Sequence, residues 1–275
     1  MTRLPNLLTS ATAATLRRRH MLAAGALLAM PALHGQAAVA DLNDAINKAG
    51  RQRMLSQRLS KAWLALGQQI EPKRAERVLE ESMATFDRQL IELKVFAPTP
   101  EIRTTYTQLE GAWSEYKGVL VGSQPTAAAT TRLMSLDAQV LQLAHQGTQQ
   151  LEQHAAKPLS QLVNLAGRQR MLSQRMAKFH LALAWKAPTT EAAQQIDAAR
   201  TEFVAGLDKL GGAKHTSPAI QEQLNLARQQ WLFFDAALGR GAAPARKDAE
   251  NVFVASENIL QVMDNITGLY SRLAT

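Results

Sequence analysis

Residues 49–58 read AGRQRMLSQR, and residues 166–175 read AGRQRMLSQR again. Each copy carries three arginines, two glutamines and a serine, side chains that donate hydrogen bonds, and no acid lies between Ala49 and Gly67. Arginines on a helix are ordinarily solvated or paired with a carboxylate three or four residues away, and Arg53 and Arg58 have no such local partner. Two guanidinium groups about 6 Å apart repel by roughly 3 kcal/mol at an effective dielectric near 20. A planar oxyanion placed between them reverses that sign, because each guanidinium fork donates two parallel hydrogen bonds. The chemistry suggested is capture of nitrate, nitrite or a small carboxylate.

The decapeptides must be positioned by helices. At 100° per residue, Ala45, Leu55, Leu59, Ala62, Trp63 and Leu66 fall on one broad stripe suited to a core. The opposite edge collects Asn43, Asn47, Gly50, Met54, Gln57, Arg58 and Lys61, and the second copy repeats it in Asn164, Gly167, Met171, Gln174, Arg175 and Lys178. Gly50 and Gly167 let another backbone approach closely. If the two edges face each other, Arg58 meets Arg175, with Arg53 and Arg170 flanking. Ser56, Gln57, Ser173 and Gln174 are then neutral donors to the same guest. Met54 and Met171 are packing residues.

The repeat extends beyond the decapeptide. Asn47 and Asn164, Lys61 and Lys178, Phe86 and Phe203, and Leu90 and Leu207 match at the same spacing, while Pro100 with Pro218 and Trp113 with Trp231 drift by one residue. Apolar spacing is helical throughout, and breaks fall at proline and glycine. The first half predicts helices over 42–70, 72–95, 101–121 and 126–156, and the second over 159–186, 189–210, 218–238 and 245–274. Strand signals are missing, and aromatic residues are only 5% of the chain. The expected fold is all-α, a tandem pair of up-and-down four-helix bundles over residues 41–156 and 157–275. Four antiparallel helices return the chain to its starting end, so the decapeptide helices can run parallel, side by side, and one chain imitates a two-fold symmetric dimer.

Residues 1–40 have the composition of an export signal, with RRR at 17–19, the run MLAAGALLAMPAL, and AVA before Asp41. RRHML at 18–22 resembles the twin-arginine export pattern; an ordinary secretory signal is the alternative. The expected location is periplasmic. Four of the 31 basic residues precede residue 41 and none of the 23 acids does, so residues 41–275 carry a net +4. The basic residues concentrate in and beside the decapeptides, which argues against a nucleic-acid surface, since that needs a spread of Lys and Arg. Cysteine is absent, so no disulfide or Cys-based metal site is available.

INKAGRQRMLSQRLSKA (46–62) and LVNLAGRQRMLSQRMAK (162–178) closely resemble the signature helix of the PilJ-type domain. That domain is the N-terminal module of type IV pilus methyl-accepting chemotaxis transducers, and the stretch is also similar to the periplasmic module of nitrate/nitrite sensor kinases. The resemblance implies a four-helix bundle whose first helix carries the ligand site, with nitrate or nitrite held at a dimer interface by symmetric arginines. By position, the motif's last arginine falls on Arg58 and Arg175, the preceding one on Arg53 and Arg170, and its glycine on Gly50 and Gly167. The likeness is strong over the signature helices and general elsewhere. Relatives of this type lie between membrane spans and feed a kinase or chemotaxis domain, neither of which this sequence contains, so a membrane sensor or transporter is the expected partner.

Other chemistry is sparse. His145, His154, His180 and His215 have no metal-ligand spacing and read as scattered surface residues. No glycine-rich phosphate loop or nucleophile elbow is present. No catalytic residue, metal or cofactor is expected, and the chain reads as a non-enzyme. The leading expectation is an oxyanion-binding sensory protein, a monomer with pseudo-two-fold symmetry or a homodimer. The alternative is a ligand-independent helical adaptor whose duplicated edge docks on a membrane receptor.

Overall fold

The computed structural model describes residues 38–187, 189, 191–239 and 244–273. The signal-like segment lies outside them except for its last three residues. Among the described residues are eight helices and no strand: α1 (Leu42–Gly67), α2 (Pro72–Phe96), α3 (Pro100–Gly122), α4 (Thr130–Ala155), α5 (Pro158–Ala184), α6 (Ala192–Gly211), α7 (Pro218–Leu238) and α8 (Arg246–Arg272). None of them is long and apolar enough to cross a membrane.

Helix starts follow from local chemistry. Asp41 caps α1 through its carboxylate, which accepts from the backbone N–H groups of Asn43 and Asp44 at 2.8 Å. Thr99 and Ser217 cap α3 and α7 in the same way. Pro72, Pro100, Pro158 and Pro218 occupy the first helical position, where a missing N–H costs nothing. The fourth helix begins at Thr130, not at residue 126, because Thr126 to Ala129 form a turn that the Thr126 side chain closes on the Ala129 N–H.

In each half the four helices pack as a closed ring, α1 to α2 to α3 to α4 and α5 to α6 to α7 to α8. The aromatic matches seen in the sequence are structural equivalents: Phe86 stacks on Trp113 with ring centroids 4.0 Å apart, and Phe203 on Trp231 at 4.7 Å. The pairing of α4 with α8 is at a spacing of 119, since their buried positions then coincide: Leu133 with Val252, Asp137 with Ser256, Val140 with Ile259, Thr148 with Thr267 and Leu151 with Tyr270.

The most extensive contact in the fold joins the halves, helix α1 against helix α5. The two run parallel and in register. Asn43 accepts from Ser160, its counterpart in the repeat, at 2.7 Å near the start. Toward the end, the Gln68 amide donates to the Leu181 carbonyl at 3.0 Å. Because α1 also touches α2, α4 and α8, it is buried around almost its whole circumference, polar edge included. The expected core residues Ala45, Leu55, Leu59, Ala62 and Trp63 are buried, while Leu66 is only half-buried.

Candidate anion site

The decapeptide helices cross at their glycines. A Cβ added at Gly50 would lie 3.7 Å from the Cα of Gly167, so the backbones approach as closely as small residues allow. The same Cβ would sit 3.2 Å from Nη2 of Arg53 and 3.5 Å from Nη2 of Arg170, and a Cβ at Gly167 meets the same two atoms at 3.7 and 3.2 Å. The guanidinium ends of Arg53 and Arg170 therefore straddle the crossing, and both residues are wholly buried.

Each arginine reaches across to the opposite helix. Arg53 Nη2 donates to the Asn164 side-chain oxygen at 2.6 Å, and Arg170 Nη2 donates to the Asn47 carbonyl at 3.0 Å. Each also meets the last helix of its own half, and here the symmetry breaks. Arg170 Nη1 donates to Asp264 at 2.5 Å, whereas Arg53 Nη1 meets Nδ1 of His145 at 3.2 Å. His145 and Asp264 are equivalent positions of α4 and α8. The guanidinium can only donate, so His145 Nδ1 accepts and its proton resides on Nε2. Among the described residues both arginine Nε atoms are buried without a partner, as is the Asn47 side-chain oxygen.

The electrostatics follow from this burial. Desolvation, then the neighbouring Arg168 and Arg170 guanidiniums, push Arg53 down to about 9. Desolvation lowers Arg170 to about 10, with Asp264 opposing it. Burial beside Arg53 and Arg168 pushes His145 down to about 4, so it is neutral at pH 7. Asp264 is shared, since Arg51 also contacts it at 2.6 Å.

Arg58 and Arg175 do not meet, contrary to the sequence expectation. Arg58 lies between α2 and α8, where it holds Glu257 at 2.5 Å and Ser82 at 3.1 Å. Arg175 lies between α4 and α6, donating to Gln195 at 2.5 Å and packing on the Phe179 ring. The neutral donors are also committed elsewhere. Ser56 and Ser173 donate to the carbonyls of Arg53 and Arg170 in their own helices. The amides of Gln57 and Gln174 tie α1 to Asp137 at 2.7 Å and α5 to the Ser256 carbonyl at 2.8 Å. All four are wholly buried. The crossing itself is thus built from Gly50, Gly167, Arg53 and Arg170, with Asn47 and Asn164 behind them.

Sequence reasoning missed the groups supplied by α4 and α8. Lys61 is wholly buried against Glu257 at 2.6 Å, and Lys178 against Asp137 at 2.5 Å. Despite a burial that would raise it, Glu257 is held at about 2 by Lys61 and Arg58. His145 is half-buried against Arg53 and His180 is buried, so these two are not surface scatter; His154 and His215 are exposed. The duplicated edge is divided among neighbours: Asn43 and Gly50 meet α5, whereas Gln57 is tied to α4 and Arg58 and Lys61 to α8.

The sequence profile described as "Type IV pili methyl-accepting chemotaxis transducer N-term" (PilJ) matches residues 40–136 and again 153–265. The chain belongs to this family. Each matched segment holds one decapeptide helix, so the parallel α1 and α5 pair juxtaposes the signature helices of two PilJ segments. No curated protein and no solved structure matches the chain.

Proposed function

We propose that the chain is a periplasmic sensory protein that takes a small oxyanion, nitrate or nitrite by preference, at the α1 and α5 crossing, and presents its loaded state to a membrane sensor or transporter. One observation carries the reading. Two wholly buried guanidiniums, Arg53 and Arg170, flank the Gly50 and Gly167 contact, each with an unpartnered Nε, and only Arg170 has a carboxylate in hydrogen-bond contact. Buried charge is costly unless it is paired, and a planar anion would complete the pairing. Asn47 and Asn164, now accepting from the arginines, release those donors when the guest arrives. The sensory role follows the family, whose description is of a chemotaxis transducer.

Calorimetric titration of the purified chain with nitrate and nitrite tests this reading. Binding weakened at least tenfold by Arg53→Met and by Arg170→Met, and left unchanged by Arg58→Ala, is the expected result. Heats that are identical in all four proteins, or absent in the unsubstituted chain, overturn it.

A further inference from the structure

The broken symmetry around the signature helices singles out a second place. Each half has four cations in equivalent positions: Arg51, Arg58, Lys61 and Arg170 face α8, and Arg168, Arg175, Lys178 and Arg53 face α4. On the α8 side every one of the four contacts a carboxylate. Asp264 holds Arg51 and Arg170, and Glu257 holds Arg58 and Lys61. On the α4 side the equivalents of those two acids are His145 and Ala138. Arg168 is paired with Glu202 and Lys178 with Asp137, but among the described residues Arg53 and Arg175 have no carboxylate within ion-pair distance.

Both of these arginines line one cavity of about 350 Å³, with Arg168, Lys178 and His145. The remaining wall is Asp137, already engaged by Lys178 and Gln57, with Gln142 and the apolar groups of Met134, Ala138, Leu141, Met171 and Phe179. Arg53 is wholly buried and its Nε has no partner. The volume is in the range of ordinary small-molecule sites, which start near 300 Å³, and far exceeds what a nitrate ion needs.

We infer that this cavity between α4 and α5 binds an organic carboxylate, its head on Arg175 in the place that Glu257 fills on the other side, and its apolar body against Met134, Leu141, Met171 and Phe179. An inorganic anion would leave the apolar wall uncovered. A neutral apolar molecule would leave Arg175 without a carboxylate partner. Arg53 borders both this cavity and the glycine crossing, whereas Arg175 belongs to the cavity alone.

The test is titration of the full chain with 2-naphthoate, and with 2-naphthalenemethanol and nitrate as the uncharged and inorganic probes. Saturable 2-naphthoate binding, with the alcohol at least tenfold weaker, is expected. Ala138→Glu places a carboxylate where the other half has Glu257, and should abolish 2-naphthoate binding while the melting temperature stays equal or rises. Arg175→Gln should weaken it at least tenfold. Nitrate binding at the crossing survives both substitutions, so failure of one site is distinguishable from failure of the other. Absence of 2-naphthoate binding to the unsubstituted chain, or affinity unchanged in both Ala138→Glu and Arg175→Gln, overturns the inference.

Discussion

Gly50 and Gly167 touch backbone to backbone, 3.7 Å separating the position of a Cβ on one from the Cα of the other. A glycine within a helix costs about 1 kcal/mol relative to alanine, and the chain accepts that cost twice at equivalent positions. What it gains is a parallel helix pair close enough for each arginine to cross to the other helix's asparagine.

Enlarging that contact should therefore be destabilising. Gly50→Leu or Gly167→Leu forces the helices apart and displaces both guanidiniums, at a cost of about 1–3 kcal/mol by overpacking. Urea unfolding followed by circular dichroism measures it, and a stability equal to the unsubstituted chain's would contradict the geometry.

Glu257 neutralises two cations at once, one of them, Lys61, wholly buried. Glu257→Gln leaves both without a carboxylate, and breaking a buried pair in this way costs about 3–5 kcal/mol. Glu257→Gln with Lys61→Met should recover part of the loss, because the stranded ammonium is removed. A double-mutant cycle by denaturant unfolding reads the coupling.

Acid should weaken the fold as His145 and His180 take up protons. Burial lowers both His145 and His180 to about 4, below the ordinary histidine value near 6.5. The unfolded chain then binds more protons than the folded one as pH falls, so this contribution is complete above pH 6.5 and lost progressively down to about 4. Glu257, held at about 2, loses its stabilising charge only in stronger acid. Melting temperatures across this range should fall steadily, and His145→Gln should flatten the slope. A melting temperature constant between pH 6.5 and 4 would refute the assignment.

Tyr116 is buried with its hydroxyl 2.9 Å from the Ser56 carbonyl and 2.6 Å from the Ser60 hydroxyl. Its repeat counterpart is Phe234, which packs edge-on against Trp231 as Tyr116 does against Trp113. Tyr116→Phe should keep the ring packing and lose about 1 kcal/mol from the missing hydrogen bonds, measurable by thermal unfolding.

The sequence by itself determined the helices, their order and the parallel placement of the two signature segments. Those features rest on local physics: prolines at first turns, side-chain caps, apolar periodicity, and a repeat whose parity returns the chain to its starting end. Gly50 and Gly167 were legible as the contact point because nothing else in a helix edge lets two backbones meet. Which arginines flank that contact was decided only in three dimensions. Arg53 and Arg58 are five residues apart, about 140° around a helix, so both cannot face the same neighbour. A wheel does not choose between them when the helix is buried on all sides. The partners that settle each cation, Glu257 and Asp264 on α8 and His145 and Asp137 on α4, lie 41 to 213 residues away in sequence. Their register on α1 and α5 is set by how the rings pack, and that packing gives Arg58 and Arg170 acids on α8 while Arg53 meets a histidine on α4.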